Sequence, residues 1–277
     1  METTPEIQTT EITVEHTLFA EPIAHIGNFT ITNSLLNSWL MIIIVVALSL
    51  ALRSKIKLIP GFLQNAFEMV IGGFLDIFDS VTGSRQKTLK FFPLVFTFFL
   101  FVLVNNWLGI LPGVGSIGKV VQEHGAAVFV PHFRGGTADL NTTLALAIIG
   151  VVASHIFGIV STGPWHYFNR FINLKALLEI PKKVFKEPTI LIVNPIKIFV
   201  GLIEIVGELA KVASLSFRLF GNIFAGEVLL ASMAAIFAFG LPIPFLFLEI
   251  IVGLVQALIF AMLVLIYLSV MTTAEEH

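Results

Sequence analysis

Ser214-Leu215-Ser216-Phe217-Arg218-Leu219-Phe220-Gly221-Asn222 sets a permanently charged guanidinium inside an apolar run that extends from Pro195 to Pro242 without another proline. At 1.5 Å per residue, about 44 residues of helix would measure roughly 66 Å, about twice the thickness of a bilayer's hydrocarbon core. The run therefore reads as one long helix, about 194–238, that must lie strongly tilted or break. Gly201, Gly207, Gly221 and Gly226 give it small packing points. An arginine at membrane depth costs about 3 kcal/mol on insertion scales, so one with no neighbouring acid is a functional suspect.

Glu204, Glu208, Lys211, Leu215, Arg218 and Asn222 advance by three or four, which puts the polar members on one helical face. Glu204 and Glu208 read as a solvated face near the cytoplasmic start. Glu227, nine residues beyond Arg218, points to the opposite side of the helix, so the two are not expected to pair. The following helix, about 245–270, carries Glu249 and Gln256 seven residues apart on one face. In an antiparallel hairpin closed at Gly240-Leu241-Pro242-Ile243-Pro244, the position sums set Glu227 level with Glu249 and Arg218 level with Gln256. A carboxylate level and an arginine level at different depths suit a proton path with an electrostatic barrier.

The rest of the chain belongs in the same setting. It is 56% hydrophobic and 12% charged, with a mean hydropathy of +0.95, as in multi-spanning membrane proteins. Apolar runs over 35–52, 91–111 and 141–160 each have the length of one crossing. Residues 61–83 mix Phe62, Phe67, Val70, Phe74 and Ile77 with Gln64, Asn65, Glu68, Asp76 and Asp79, the pattern of an interfacial amphipathic helix. The expected fold is an all-α integral membrane protein: five crossing helices, one interfacial helix, and a long, strongly tilted hairpin at the end. Residues 1–33 form a polar acidic tail and 34–277 a single membrane domain.

Of the 16 lysines and arginines, Arg53, Lys55, Lys57, Arg85, Lys87 and Lys90 follow the first run, and Arg170, Lys175, Lys182, Lys183 and Lys186 follow the third. Only Lys119 and Arg134 lie between the second and third runs. The positive-inside rule then places the N-terminal tail outside, both basic loops in the cytoplasm and the C-terminus inside. Glu2, Glu6, Glu11, Glu15 and Glu21 open the chain with no lysine or arginine among them, the reverse of a signal peptide. A bacterial inner membrane fits this tail and the lack of a transit peptide.

The chain has no cysteine and seven histidines. His16, His25, His124 and His132 are scattered outside, and His155 stands alone in a span, so no pair has the i, i+4 spacing of a zinc helix. No Gly-rich phosphate loop occurs, and neither a cofactor, a metal nor a nucleic acid is expected. Asp139, beside Asn141-Thr142-Thr143, suits a helix N-cap as well as a channel residue.

The stretch 214–222, followed by Ala225-Gly226-Glu227, resembles the signature of subunit a of F-type ATP synthases. The likeness extends to Leu58-Ile59-Pro60 with Gln64-Asn65-Ala66-Phe67-Glu68, to Thr137-Ala138-Asp139-Leu140-Asn141-Thr142-Thr143-Leu144-Ala145, and to Glu249 with Gln256. The resemblance implies a non-catalytic membrane stator beside a rotating ring of c subunits, joined by b-type peripheral stalk subunits to a soluble catalytic head. It implies that Arg218 is the essential arginine facing the ring, that Glu227 and Glu249 line a half-channel, and that Gln256 neighbours the arginine. Asn222 and Asp139 are then polar contributors to the paths, and Glu204 is a further candidate. Two other readings are a secondary transporter, which would call for internal repeats, and a structural membrane anchor, which gives Arg218 no purpose. Residues 113–136 and the acidic tail carry no assigned role.

Overall fold

The computed structural model describes residues 12–13, 17–54, 56–111, 113–123, 126–172, 190–237 and 240–273. Glu2, Glu6, Glu11 and Glu15 of the acidic tail, His16 and His124, and Lys55, Lys175, Lys182, Lys183 and Lys186 of the basic loops lie outside the described residues.

Seven helices account for most of the described chain: α1 (Asn33–Arg53), α2 (Phe62–Thr82), α3 (Arg85–Gly109), α4 (Leu140–Thr162), α5 (Pro164–Ile172), α6 (Ile190–Ile236) and α7 (Pro242–Thr272). Four of them, α1, α3, α4 and α7, are long and apolar enough to cross a membrane. The all-α membrane class is as expected. The helix α6 runs for 47 residues. Its charged residues, Lys197, Glu204, Glu208, Lys211, Arg218 and Glu227, set it apart from the four apolar helices. It begins before Pro195, which falls inside the helix rather than at its start. The sequence did not announce α5, which starts with Pro164 at its first position after Gly163 at φ 84°.

The chain divides into two compact units that alternate along the sequence: Met1–Ser54, Phe101–Thr142 and Phe220–Gln256 form the first, and Lys55–Leu100, Thr143–Leu219 and Ala257–His277 the second.

The first unit carries the extended segments. Strands β2 (Pro22–Ile26) and β3 (Phe29–Thr32) form an antiparallel hairpin that turns at Gly27, φ 60°. Strands β4 (Gly118–Glu123) and β5 (Ala126–Pro131) form a second, in register from Gly118 opposite Pro131 to Glu123 opposite Ala126, and β1 (Ile12–Thr13) pairs parallel to β5. Thr32 caps α1, its hydroxyl accepting from the Leu35 amide at 3.3 Å. The first turns of α1 bury Asn33, Ser34, Asn37 and Ser38. Its later turns expose Ile42, Ile43, Val46 and Leu50, a face suited to lipid or to other apolar chains.

In the second unit, α2 ends on Gly83 at φ 66°, whose amide bonds the Asp79 carbonyl at 2.9 Å. Arg85 opens α3 and pairs with Asp79 at 2.7 Å across this turn. Behind it, Phe74, Phe78, Phe92, Phe96 and Phe99 pack ring against ring, so the C-terminal half of α2 lies against α3 while Phe62, Phe67 and Val70 stay exposed. Gly150 and Gly158 of α4 let α7 approach closely, with Val264 at 3.1 Å and the Met271 carbonyl at 3.1 Å from where a methyl would stand.

Candidate ion-translocation site

Arg218 stands on an exposed face of α6. Leu215, Ser216 and Leu219 are each 1% exposed and turn one side of the helix inward, with the Ser216 hydroxyl 3.2 Å from that of Thr143 on α4. Ser214, Phe217, Arg218, Gly221, Asn222 and Ala225 share the opposite, exposed side at spacings of three and four. Arg218 Nη2 donates to Ser214 Oγ at 3.4 Å, and no carboxylate among the described residues lies within ion-pairing distance of it. The guanidinium is exposed, and its charge is unanswered among the described residues. Asn222 is exposed beside it, while Gln256 of α7 is buried.

Glu227 has a partner that sequence reasoning missed. Arg134, in the loop after β5, lies 5% exposed and spends every N–H it has. Nε is 3.1 and 3.2 Å from the two Glu227 carboxylate oxygens, and Nη2 reaches Oε2 at 2.9 Å. Nη2 also donates to the Thr17 carbonyl at 2.9 Å, and Nη1 to the Phe19 carbonyl at 3.3 Å and the Thr17 hydroxyl at 3.4 Å. The guanidinium sits 5.9 Å from the centre of the Phe224 ring, one turn before Glu227. An N-terminal segment thus clamps a loop arginine onto a helix carboxylate.

Glu249 of α7 meets the same stretch of α6, in keeping with the level pairing read from the hairpin. Its carboxylate lies against Gly226, where a methyl would collide with both oxygens and their carbon. Asn106 and Trp107 at the end of α3 fix this part of α7, donating to the carbonyls of Gly253 at 3.0 Å and Ile250 at 3.1 Å. A cavity of about 800 Å³ opens here, lined by Glu21, Asn106, Ser116, Arg134, Glu227, Ser232 and Glu249 among apolar neighbours. Gly226→Ala is expected to displace the Glu249 side chain and cut proton flux through the assembled complex by about tenfold, the rate equivalent of about 1.4 kcal/mol. Flux measured in vesicles at fixed driving force checks this.

Asp139 is buried beneath the N-terminus of α4. Its two oxygens accept from the Asn141 amide at 3.1 Å, the Thr142 hydroxyl at 3.0 Å, the Ser34 hydroxyl at 3.0 Å and the Ala20 amide at 3.3 Å. Such bonds satisfy the open amides of the first helical turn. They also tie α1 and the N-terminal segment to α4.

One expectation is corrected in the second unit. Glu208, expected to be solvated, is 8% exposed and pairs with Lys211 at 2.7 Å. His155, the lone histidine of its span, lies with Nε2 3.7 Å from Glu208 Oε2 and its other ring nitrogen hydrogen-bonded to the Tyr167 hydroxyl. The helix α5, which supplies Tyr167, was not foreseen, and that is why the cluster was not. Glu204, one turn earlier on α6, is half-buried.

A family model described as ATP synthase A chain matches residues 35–269, a span that contains every residue of the arginine face and of the Glu227–Glu249 cavity apart from Glu21. The ATP synthase subunit a of Geobacter sulfurreducens is 33% identical over 232 residues, 84% of this chain and 84% of its own length. That of Desulfotalea psychrophila is 33% identical over 244 residues, 87% of this chain and 83% of its own. That of Syntrophobacter fumaroxidans is 31% identical over 263 residues, 95% and 92% of the two lengths. This chain therefore belongs to the ATP synthase A chain family, and is a multi-pass, non-catalytic membrane-sector subunit of the F-type ATP synthase complex.

Proposed function

We propose that this subunit is the proton-conducting stator of the membrane sector, with Arg218 facing the ionisable carboxylates of a rotating ring of c subunits. The observation that carries this is the outward face of α6, where Arg218 has no acid among the described residues and small or polar neighbours at Ser214, Gly221, Asn222 and Ala225. A ring carboxylate surrounded by lipid must be neutral, because an unpaired charge there is too costly. Opposite Arg218, whose charge is effectively permanent, the same carboxylate is stabilised as the anion. It gives up its proton into one half-channel and is reprotonated from the other before re-entering lipid. Because the guanidinium does not release a proton, it also separates the two half-channels. The field supplies about 2.3 kcal/mol per charge per 100 mV, which turns the ring.

The cavity lined by Glu227, Glu249 and Arg134 supports the outer half-channel, with Asn222, Gln256 and Glu204 as further polar positions on the paths. The distribution of lysine and arginine supports five crossings, α6 among them, with the N-terminus outside and the C-terminus in the cytoplasm of a bacterial inner membrane. The b-type stalk subunits and the catalytic head complete the set of partners.

ATP-driven proton pumping by the reconstituted complex tests the reading: an Arg218→Gln complex that still pumps at the normal rate, with no new leak, contradicts it. Glu249→Gln removes a titrating group while keeping its shape, and proton flux is expected to fall severalfold with a changed pH profile. Flux unaltered at every pH takes Glu249 off the path.

A further inference from the structure

We propose that His155, Tyr167 and Glu208 form a proton relay on the basic-loop side of Arg218, an inference that rests on the ion-translocating role above. The second unit gathers titratable groups from four helices: His155 on α4, Tyr167 on α5, Glu208 and Lys211 on α6, and Tyr267 on α7. Buried ionisable groups within a membrane helix are costly, so a cluster of them calls for a use. Glu208 is 8% exposed; Lys211 holds its Oε1 at 2.7 Å, while Oε2 is buried with no hydrogen-bond partner among the described residues and lies 3.7 Å from His155 Nε2. Phe171 packs its ring edge-on to the imidazole, at 6.2 Å. Among the described residues, the charges beside His155 are those of Glu208 and Lys211.

The Tyr167 hydroxyl makes the site two-way. It bonds His155 Nδ1 on one side and lies 4.0 Å from the Met271 sulfur on the other. With the imidazole neutral and Nε2 protonated, the phenol donates to Nδ1. When a hydronium ion from the basic-loop side gives a proton to Nδ1 and leaves as water, the phenol turns its hydrogen toward the Met271 sulfur, a weak acceptor, and receives the new N–H. The Nε2 proton then passes to Glu208 Oε2, a gap that a small rotation of either side chain closes. One proton has entered at Nδ1 and one has moved to Oε2, with imidazole neutral again and the carboxyl protonated; no other bond changes. Beyond Glu208 the path continues along α6. Lys211 lies 5.1 Å from the centre of the Tyr267 ring, and Arg218 stands seven residues further on the same face.

The test uses the whole ATP synthase reconstituted in vesicles, with ATP-driven pumping followed as pH is varied on the basic-loop side. The wild type is expected to show an inflection between about pH 5 and 8, where histidine titrates. His155→Phe is expected to remove it and to slow pumping about fivefold at the alkaline end, where a proton-holding group matters most. Tyr167→Phe keeps the ring packing and removes only the hydroxyl, so the inflection is expected to move while ATP hydrolysis by the head is retained. An unmoved inflection and wild-type rates in Tyr167→Phe overturn the relay, whether or not His155→Phe assembles. Should Arg218→Gln abolish pumping while both relay variants behave as wild type, the relay fails alone; should Arg218→Gln pump normally, the stator reading fails and the relay with it.

Discussion

Arg218→Ala in the reconstituted complex is expected to lower coupled proton pumping at least about a hundredfold, the rate equivalent of losing about 2.7 kcal/mol of electrostatic stabilisation. The same change is expected to open a passive leak. The two effects share one cause. In the proposed mechanism Arg218, on the exposed face of α6, is the charge that makes a ring carboxylate release its proton, and also the barrier between the two half-channels. Arg218→Lys separates these roles. An ammonium retains the charge, but it is a compact point charge whose proton can leave when desolvated. Partial suppression of the leak without recovery of coupling is therefore expected. A dye reporting the pH gradient, read with ATP and again after the gradient is imposed without it, measures both.

Arg134→Ala is expected to have the second largest effect, destabilising the first unit by about 3–5 kcal/mol, the usual result of breaking a buried ion pair. The reason is the geometry around the guanidinium: three contacts to Glu227, two to Thr17, one to Phe19, and the Phe224 ring nearby. Removing it leaves the half-buried Glu227 carboxylate unanswered and frees the N-terminal segment from α6. Arg134→Lys is expected to recover only part, because one ammonium cannot reproduce a planar fork that uses five donors. The double change Arg134→Gln with Glu227→Gln is expected to be more stable than Arg134→Gln alone, since no unpaired charge remains. Thermal unfolding of the purified complex, run as a double-mutant cycle, gives the coupling directly. Additive losses contradict the pair.

The hairpin was legible because its signals are local. Spacing along one helix put Arg218 and Glu227 on opposite sides, and counting outward from Gly240 brought Glu249 to the level of Glu227. Gly226 beneath the Glu249 carboxylate agrees with that count. Helix ends were less readable: polar first turns such as Arg85–Lys90 continue α3 outward, and Pro195 sits inside α6. Arg134 could not be found this way. It is 93 residues from Glu227, and its role depends on the fold of a loop and on carbonyls of Thr17 and Phe19 rather than on any motif. The burial of Glu208 beside His155 was missed for the same reason: the two stand on different helices, 53 residues apart in the sequence, and only tertiary packing with the unforeseen α5 makes them neighbours. The β4–β5 hairpin was also invisible to a reading tuned to apolar runs of spanning length.

The most direct test of the central claim uses the absence of cysteine from this chain. Single cysteines placed at Ser214, Asn222, Leu215 and Leu219 are each paired with a cysteine beside the ionisable carboxylate of the ring subunit, and disulfide cross-linking is measured in membranes. The face of α6 that carries Arg218 is expected to cross-link, through positions 214 and 222, and the buried positions 215 and 219 are expected not to. Cross-linking from 215 and 219, with none from 214 and 222, would contradict the account.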